Sequence, residues 1–142
     1  MTTRRRVREA ALGVLFQMDL GKLSLEDALD TVRGSDWAPV DWALVETLAR
    51  GTRAHLAEID RLIAGVAEHW TIERMATVDR NILRMAIYEL MRATTPVGVV
   101  INEAVELAKQ YSTEESGHFV NGMLGTFVRS GIPPLVGQAA DA

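Results

Sequence analysis

The sequence predicts an all-α protein with about seven helical elements, and three observations lead there. From Thr77 to Thr94 the run TVDRNILRMAIYELMRAT sets Ile82, Leu83, Ala86, Ile87 and Leu90 three and four residues apart. That is a broad apolar stripe at helical period. Shorter stripes of the same period recur before and after it. No stretch alternates convincingly with period two; VGVVI is β-branched but embedded in a helical pattern. A face as wide as that of 77–94 needs neighbours on more than one side, so this segment is expected at the centre of the fold.

Taken in order, Arg4, Arg5, Arg6 and Arg8 precede a helical stripe of Ala11, Leu12, Leu15, Phe16 and Leu20. Gly21–Lys22 should break that helix. Ser24 with Asp27 three residues later resembles a capping box and opens a short helix through Val32. Gly34–Ser35–Asp36 reads as a loop, and Pro39 fits the first turn of the next helix. From Val40 to Val66 the apolar period runs on, which suggests one long helix, bent if anywhere at Gly51. Trp70 is expected to plug the core or a hinge, with Thr71 as a cap for a single turn from Ile72 to Met75. Thr77 is the expected N-cap of the central helix, with Asp79 in its first turn, where exposed N–H groups favour negative charge. Thr94–Thr95–Pro96 stops and restarts the chain. A helix then runs to about Tyr111, and Thr113 starts the last one, which Gly131 and Pro133–Pro134 end. Residues 1–134 are expected to form the folded domain and 135–142 a disordered tail.

With 142 residues, 48% apolar and 24% charged, the chain has the composition of a globular domain able to bury a core unaided. The absence of cysteine excludes disulfides, thiolate chemistry and cysteine-based metal sites, and it fits a cytoplasmic protein. Apolar runs fall far short of the roughly 20 residues that span a membrane, so no membrane partner is expected. The basic start followed by apolar residues is not read as an export signal, because Glu9 and Gln17–Met18–Asp19 interrupt it. Net charge is −4, yet the first ten residues carry +3 and the rest −7. A positive pole on an acidic body accommodates one partner at the pole and another on the body.

Signatures of enzymes are missing. There is no phosphate-cradling glycine loop. His55, His69 and His118 lack metal-ligand spacing, and neither a cofactor nor a metal is expected. Glu103 and Glu106 read as a solvated helix face. The arginines are a solubilising tail or a phosphate-binding arm. Helix energetics do not explain them, since each opposes the macrodipole by a few tenths to roughly 1 kcal/mol. Arginine suits phosphate because its planar fork donates two parallel hydrogen bonds. Between Ile101 and Gly122, Asn102, Lys109, Gln110, Tyr111, His118 and Asn121 interleave with apolar anchors. They either contact bases or, for the two asparagines, satisfy backbone groups at helix junctions.

Five segments carry a family resemblance: RRRVREAALGVLFQMD (4–19), WTIERM (70–75), VDRNILRMAIYEL (78–90), PVGVVINEAVELAK (96–109) and FVNGML (119–124). In this order and over nearly the whole chain, they resemble the NusB family of transcription antitermination factors. The resemblance implies two small packed helix bundles. It also implies binding of boxA-type single-stranded RNA with the ribosomal protein NusE, inside the antitermination complex around RNA polymerase. The family's arginine-rich motif falls on Arg4, Arg5, Arg6 and Arg8, and its remaining RNA surface on Lys109, Tyr111 and Asn121. The NusE surface falls on Glu73 to Arg84 and the loop at Glu114–Glu115, with Glu73, Asp79, Arg80 and Glu115 as the expected contacts. Many relatives carry an aspartate and a basic residue where this chain has Gly125 and Thr126. Some members self-associate, so monomer and homodimer both stay open. Two other readings remain: a protein-only helical module, and a detached NusB-like domain of a ribosomal RNA cytosine methyltransferase. The latter could not act alone, for want of a Rossmann fold and a catalytic cysteine.

Overall fold

A computed structural model describes residues 3–35, 40–67 and 70–135, the side chain of residue 3 excepted. Among them every regular element is helical: seven α-helices and one 3-10 turn. The chain divides into two compact units, Met1–Ala54 and His55–Ala142, in keeping with the two bundles that the resemblance implied.

In the first unit, α1 (Thr3–Leu20) packs against α2 (Leu25–Arg33) and α3 (Trp42–Ala54). Val7, Leu12, Leu15, Leu29, Val32, Val45 and Leu48 are among its buried side chains. The turn after α1 needs its glycine. The Gly21 and Leu23 amides both donate to the Gln17 carbonyl, and a Cβ at position 21 would stand 2.7 Å from that oxygen. Lys22 beside it takes the left-handed conformation, φ 58°. Ser24 caps α2 as expected, its Oγ accepting from the Asp27 amide at 3.1 Å. Residues 36–39, with the expected start at Pro39, lie outside the described residues.

The expected long helix is two. Gly51 stays within α3, and the chain breaks at His55, whose φ −110° and ψ 20° are not helical. Just ahead of the break the buried Thr52 donates its hydroxyl to the Leu48 carbonyl at 2.8 Å, a back-bond that loosens the backbone ladder there. His55 begins the second unit, with its ring stacked on Tyr88 at 6.0 Å.

The second unit holds α4 (Leu56–Val66), the 3-10 turn (Ile72–Arg74), α5 (Thr77–Arg92), α6 (Val97–Tyr111) and α7 (Glu114–Arg129). α5 packs against α4, α6 and α7, so the expected central helix is central to this unit. Its cap differs from expectation: Ala76 is the N-cap with no side-chain bond, and Thr71 likewise makes none. Thr77 is the first helical residue, and its carbonyl accepts from Asn81 Nδ2 at 2.8 Å. Burial reaches beyond the apolar stripe to Asp79, Asn81, Arg84 and Glu89. Arg84 meets Asp60 of α4 through two parallel bonds, Nε to Oδ1 at 2.8 Å and Nη2 to Oδ2 at 2.9 Å. α5 ends on Ala93 at φ 59°, a left-handed cap whose amide donates to the Glu89 carbonyl. Thr113 caps α7 as expected, accepting from the Ser116 amide at 2.9 Å. Leu135, expected in the tail, is 5% exposed, and residues 136–142 lie outside the described residues.

Leu83 lies wholly inside, with 0% exposure. Leu83→Ala should therefore cost about 2–5 kcal/mol of stability in chemical denaturation, through lost transfer energy and a residual cavity. A loss below about 0.5 kcal/mol would place the side chain in a surface environment.

Candidate nucleic-acid and protein interfaces

In the first unit the four N-terminal arginines fall within the opening turns of α1, so they are part of a helix and not a trailing arm. No acidic residue accompanies them in the first turn. Arg4 is exposed, Arg5 and Arg6 are half-buried, and Arg8 is only 6% exposed. Arg6 Nη1 donates to Glu9 Oε1 at 2.7 Å, and Arg5 and Arg8 also have interactions of their own. Open positive surface is thus concentrated on Arg4, with Arg5 and Arg6 contributing in part.

The second unit holds two candidate surfaces. One is a groove of about 390 Å³ between α6 and α7, floored by Ile101 and Val105 and edged by Asn102, Lys109, His118 and Asn121. Lys109 and Asn121 therefore come together as expected, while Tyr111, 43% exposed at the end of α6, does not line the groove. Gly117 makes room for the lysine stem: a Cβ there would stand 2.9 Å from Lys109 Cγ. Asn102 and Asn121 are exposed within their helices, so they do not serve as junction residues. Further along α7, Arg129 Nη2 donates to Thr126 Oγ1 at 3.2 Å, and a Cβ at position 125 would lie 3.2 Å from its Nη1. A guanidinium thus lies over the neutral Gly125–Thr126 pair.

The other surface is a cleft of about 500 Å³ where α5 and α7 begin. Trp70, Met75, Ala76 and Phe119 supply its apolar wall; Arg74, Asp79, Glu115 and Ser116 supply polar groups. Trp70 is 52% exposed and meets Phe119 edge to face at 6.4 Å, so it is not the core plug its apolar character suggested. Asp79 is 8% exposed. Its Oδ2 accepts from Ser116 Oγ at 2.9 Å, and its Oδ1 is buried with no hydrogen-bond partner. Of the other expected contacts, Glu115 lines the same cleft, and Glu73 is exposed on the 3-10 turn. Arg80 turns inward, donating from Nη1 to the Ile72 carbonyl at 3.4 Å, and so braces the turn that carries Glu73. Trp70, Phe119 and Ser116 were not singled out as contacts by sequence reasoning. Each comes to Asp79 across distant parts of the chain, with no local pattern to mark it.

Among the described residues no group of three or more histidine, cysteine or carboxylate side chains could hold a metal ion, and no helix is long and apolar enough to cross a membrane. What the surfaces offer is guanidinium, amide, aromatic and carboxylate groups.

Residues 5–129 match the model of the NusB family. The transcription antitermination protein NusB of Anaeromyxobacter dehalogenans (strain 2CP-1) is 48% identical over 138 residues, covering 94% of this chain and 96% of that protein. The NusB of Solibacter usitatus is 52% identical over 128 residues, 87% of each chain. Among solved structures, T. maritima NusB superposes with a TM-score of 0.82 at 38% identity, covering 93% of this chain and 94% of that one. A chain from a crystal structure of the antitermination factors NusB and NusE with double-stranded RNA superposes at 0.81 and 29% identity, covering 92% and 98%. With family model, relatives and fold in agreement along nearly all its length, the chain belongs to the NusB family.

Proposed function

We propose that the protein is a non-enzymatic antitermination factor of the cytoplasm. It binds boxA-type single-stranded RNA together with the ribosomal protein NusE, within the antitermination complex around RNA polymerase. Family membership supports this, as does the solved complex in which a similar chain is found with NusE and RNA. The observation that carries the NusE half is the cleft where α5 and α7 begin. A buried carboxylate with one unpartnered oxygen, walled by Trp70 and Phe119, suits a basic side chain with an apolar stem. Glu73 and Glu115 add exposed negative charge for a basic partner.

RNA is met by Arg4, Arg5 and Arg6 at phosphates and by the α6–α7 groove at bases. The amides of Asn102 and Asn121 each offer a donor and an acceptor, which matches base edges exposed in unpaired strands. Arg8, buried, supports the helix that presents the others. Tyr111 remains a candidate for stacking outside the groove.

Two outcomes test the halves separately. Asp79→Asn removes the charge with little change of shape, and should weaken NusE binding at least about tenfold by calorimetry with helical content retained. Arg5→Gln should leave that affinity within about twofold; the reverse pattern would exchange the two surfaces.

For RNA, three phosphate contacts give a slope of log K against log salt near −2, at roughly 0.7 for each contact on a single strand. Arg4→Gln combined with Arg5→Gln should flatten it to about −0.7 and weaken boxA-like and unrelated strands by similar factors, since phosphate contacts do not read sequence. Asn121→Ala should instead narrow the preference for the boxA-like strand. Fluorescence titrations at several salt concentrations, with single strands and duplex, and with NusE present and absent, measure all three. An unchanged slope would make the arginines a solubilising feature. Failure to bind RNA even with NusE would leave a protein-only module.

A further inference from the structure

The Asp79 carboxylate could in principle rotate, and a rotating carboxylate makes a poor socket. The structure shows what holds it. Ser116 lies on α7, is 8% exposed, and donates its only hydroxyl proton to Asp79 Oδ2 at 2.9 Å. With that proton committed, Ser116 Oγ can only accept from its other neighbours. The Ser112 hydroxyl lies 2.8 Å away and the Thr113 hydroxyl donates from 3.1 Å. The hydrogen bonds therefore run in one direction, from Ser112 and Thr113 through Ser116 to Asp79. Two donors on Ser116 Oγ polarise it and strengthen its bond to the carboxylate.

Capping does not require this hydroxyl. The α7 cap is made by the Ser116 amide, which donates to Thr113 Oγ1 at 2.9 Å. The Ser116 side chain is left to span 37 residues of sequence and hold one carboxylate oxygen of α5. Its partner oxygen, Oδ1, is buried and unpartnered in a carboxylate that lines the cleft with Trp70 and Phe119.

We infer that Ser116 is a positioning residue for partner binding: with Ser112 and Thr113 it fixes the Asp79 carboxylate at the wall of the cleft and leaves Oδ1, covered and without a hydrogen bond, as the acceptor for a cationic side chain that displaces what covers it. This rests on the reading of the cleft as the NusE site. Ser116 touches no partner in this account and acts only through Asp79.

A double-mutant cycle on the full chain tests it, with NusE affinity read by calorimetry and folding by circular dichroism. Ser116→Ala should weaken binding about tenfold in the otherwise unchanged protein, and less than about twofold in an Asp79→Ala background. Equal losses in both backgrounds would mean that Ser116 acts independently of Asp79, and would overturn the inference. No loss from Ser116→Ala alongside a clear loss from Asp79→Ala would also overturn it, while leaving the cleft as the NusE site. If neither substitution weakened binding, the reading of the cleft itself would fail. Should Ser116→Ala not fold, Ser112→Ala removes one donor to Ser116 Oγ. It should weaken binding about threefold, and only when Asp79 is present; no loss would overturn the directed chain.

Discussion

The second unit depends on the burial of α5. Twelve of its sixteen residues are buried, which leaves its polar side chains little access to water for solvation. A buried charge without a partner costs several kcal/mol, and two such charges, Arg84 and Asp79, are met from neighbouring elements. Asp60 of α4 meets Arg84 through a planar fork, and Ser116 of α7 meets Asp79. Apolar stripes alone tolerate sliding of one helix along another. Directional bonds at two levels of α5 do not, so they fix where α4 and α7 stand along it. The cleft where α5 and α7 begin is shaped by the same constraint, because Asp79 is the buried group whose second oxygen the packing leaves unmet.

Local chemistry was readable wherever it was sufficient. Ser24 and Thr113 are small hydroxyl residues at the start of apolar periods, and both cap their helices. The stripe of α5 announced its burial. The break at His55 was hidden because Leu48, Leu56 and Ile59 keep helical spacing across it; a one-residue interruption barely disturbs a period. Thr77 was misplaced by one position because Ala76 starts the helix with no side-chain cap to reveal it. The site was legible only by residue type. Glu115 and Asp79 were expected together and share a cleft, but nothing local told that Asp79 is buried, that Arg80 turns inward, or that Trp70 stands outside the core. Those facts arise from contacts between distant segments, and Ser116 went unnoticed for the same reason.

Charge at the helix starts carries unequal information. Asp79 in the first turn of α5, and Glu114 and Glu115 in that of α7, sit where the macrodipole favours them. Their presence has a structural cause and does not by itself point to a partner. The arginines of α1 are the opposite case. They crowd the positive end of their own helix, where Glu9 meets Arg6 and where Arg5 and Arg8 also have interactions of their own. Arg4 is the exposed member of the group, and an external polyanion beside it would offset the unfavourable macrodipole.

The acidic cleft must therefore be judged on geometry. Glu73 and Glu115 are exposed, so salt screens them, and on the proposed reading their contribution to a basic partner would be chiefly to the rate of encounter. Asp79 differs in kind. The cost of removing its carboxylate from water is incurred when the protein folds, before any partner arrives, and one oxygen remains without a hydrogen bond. A cationic side chain entering the cleft beside Trp70 and Phe119 and reaching that oxygen would supply the missing bond without a further desolvation cost for the carboxylate. A neutral or acidic side chain at the same place would leave the oxygen unmet or repel it. On the proposed reading of the cleft, discrimination among partners would rest on the buried group and attraction on the exposed ones, so that the orientation of a single carboxylate would matter to the whole surface.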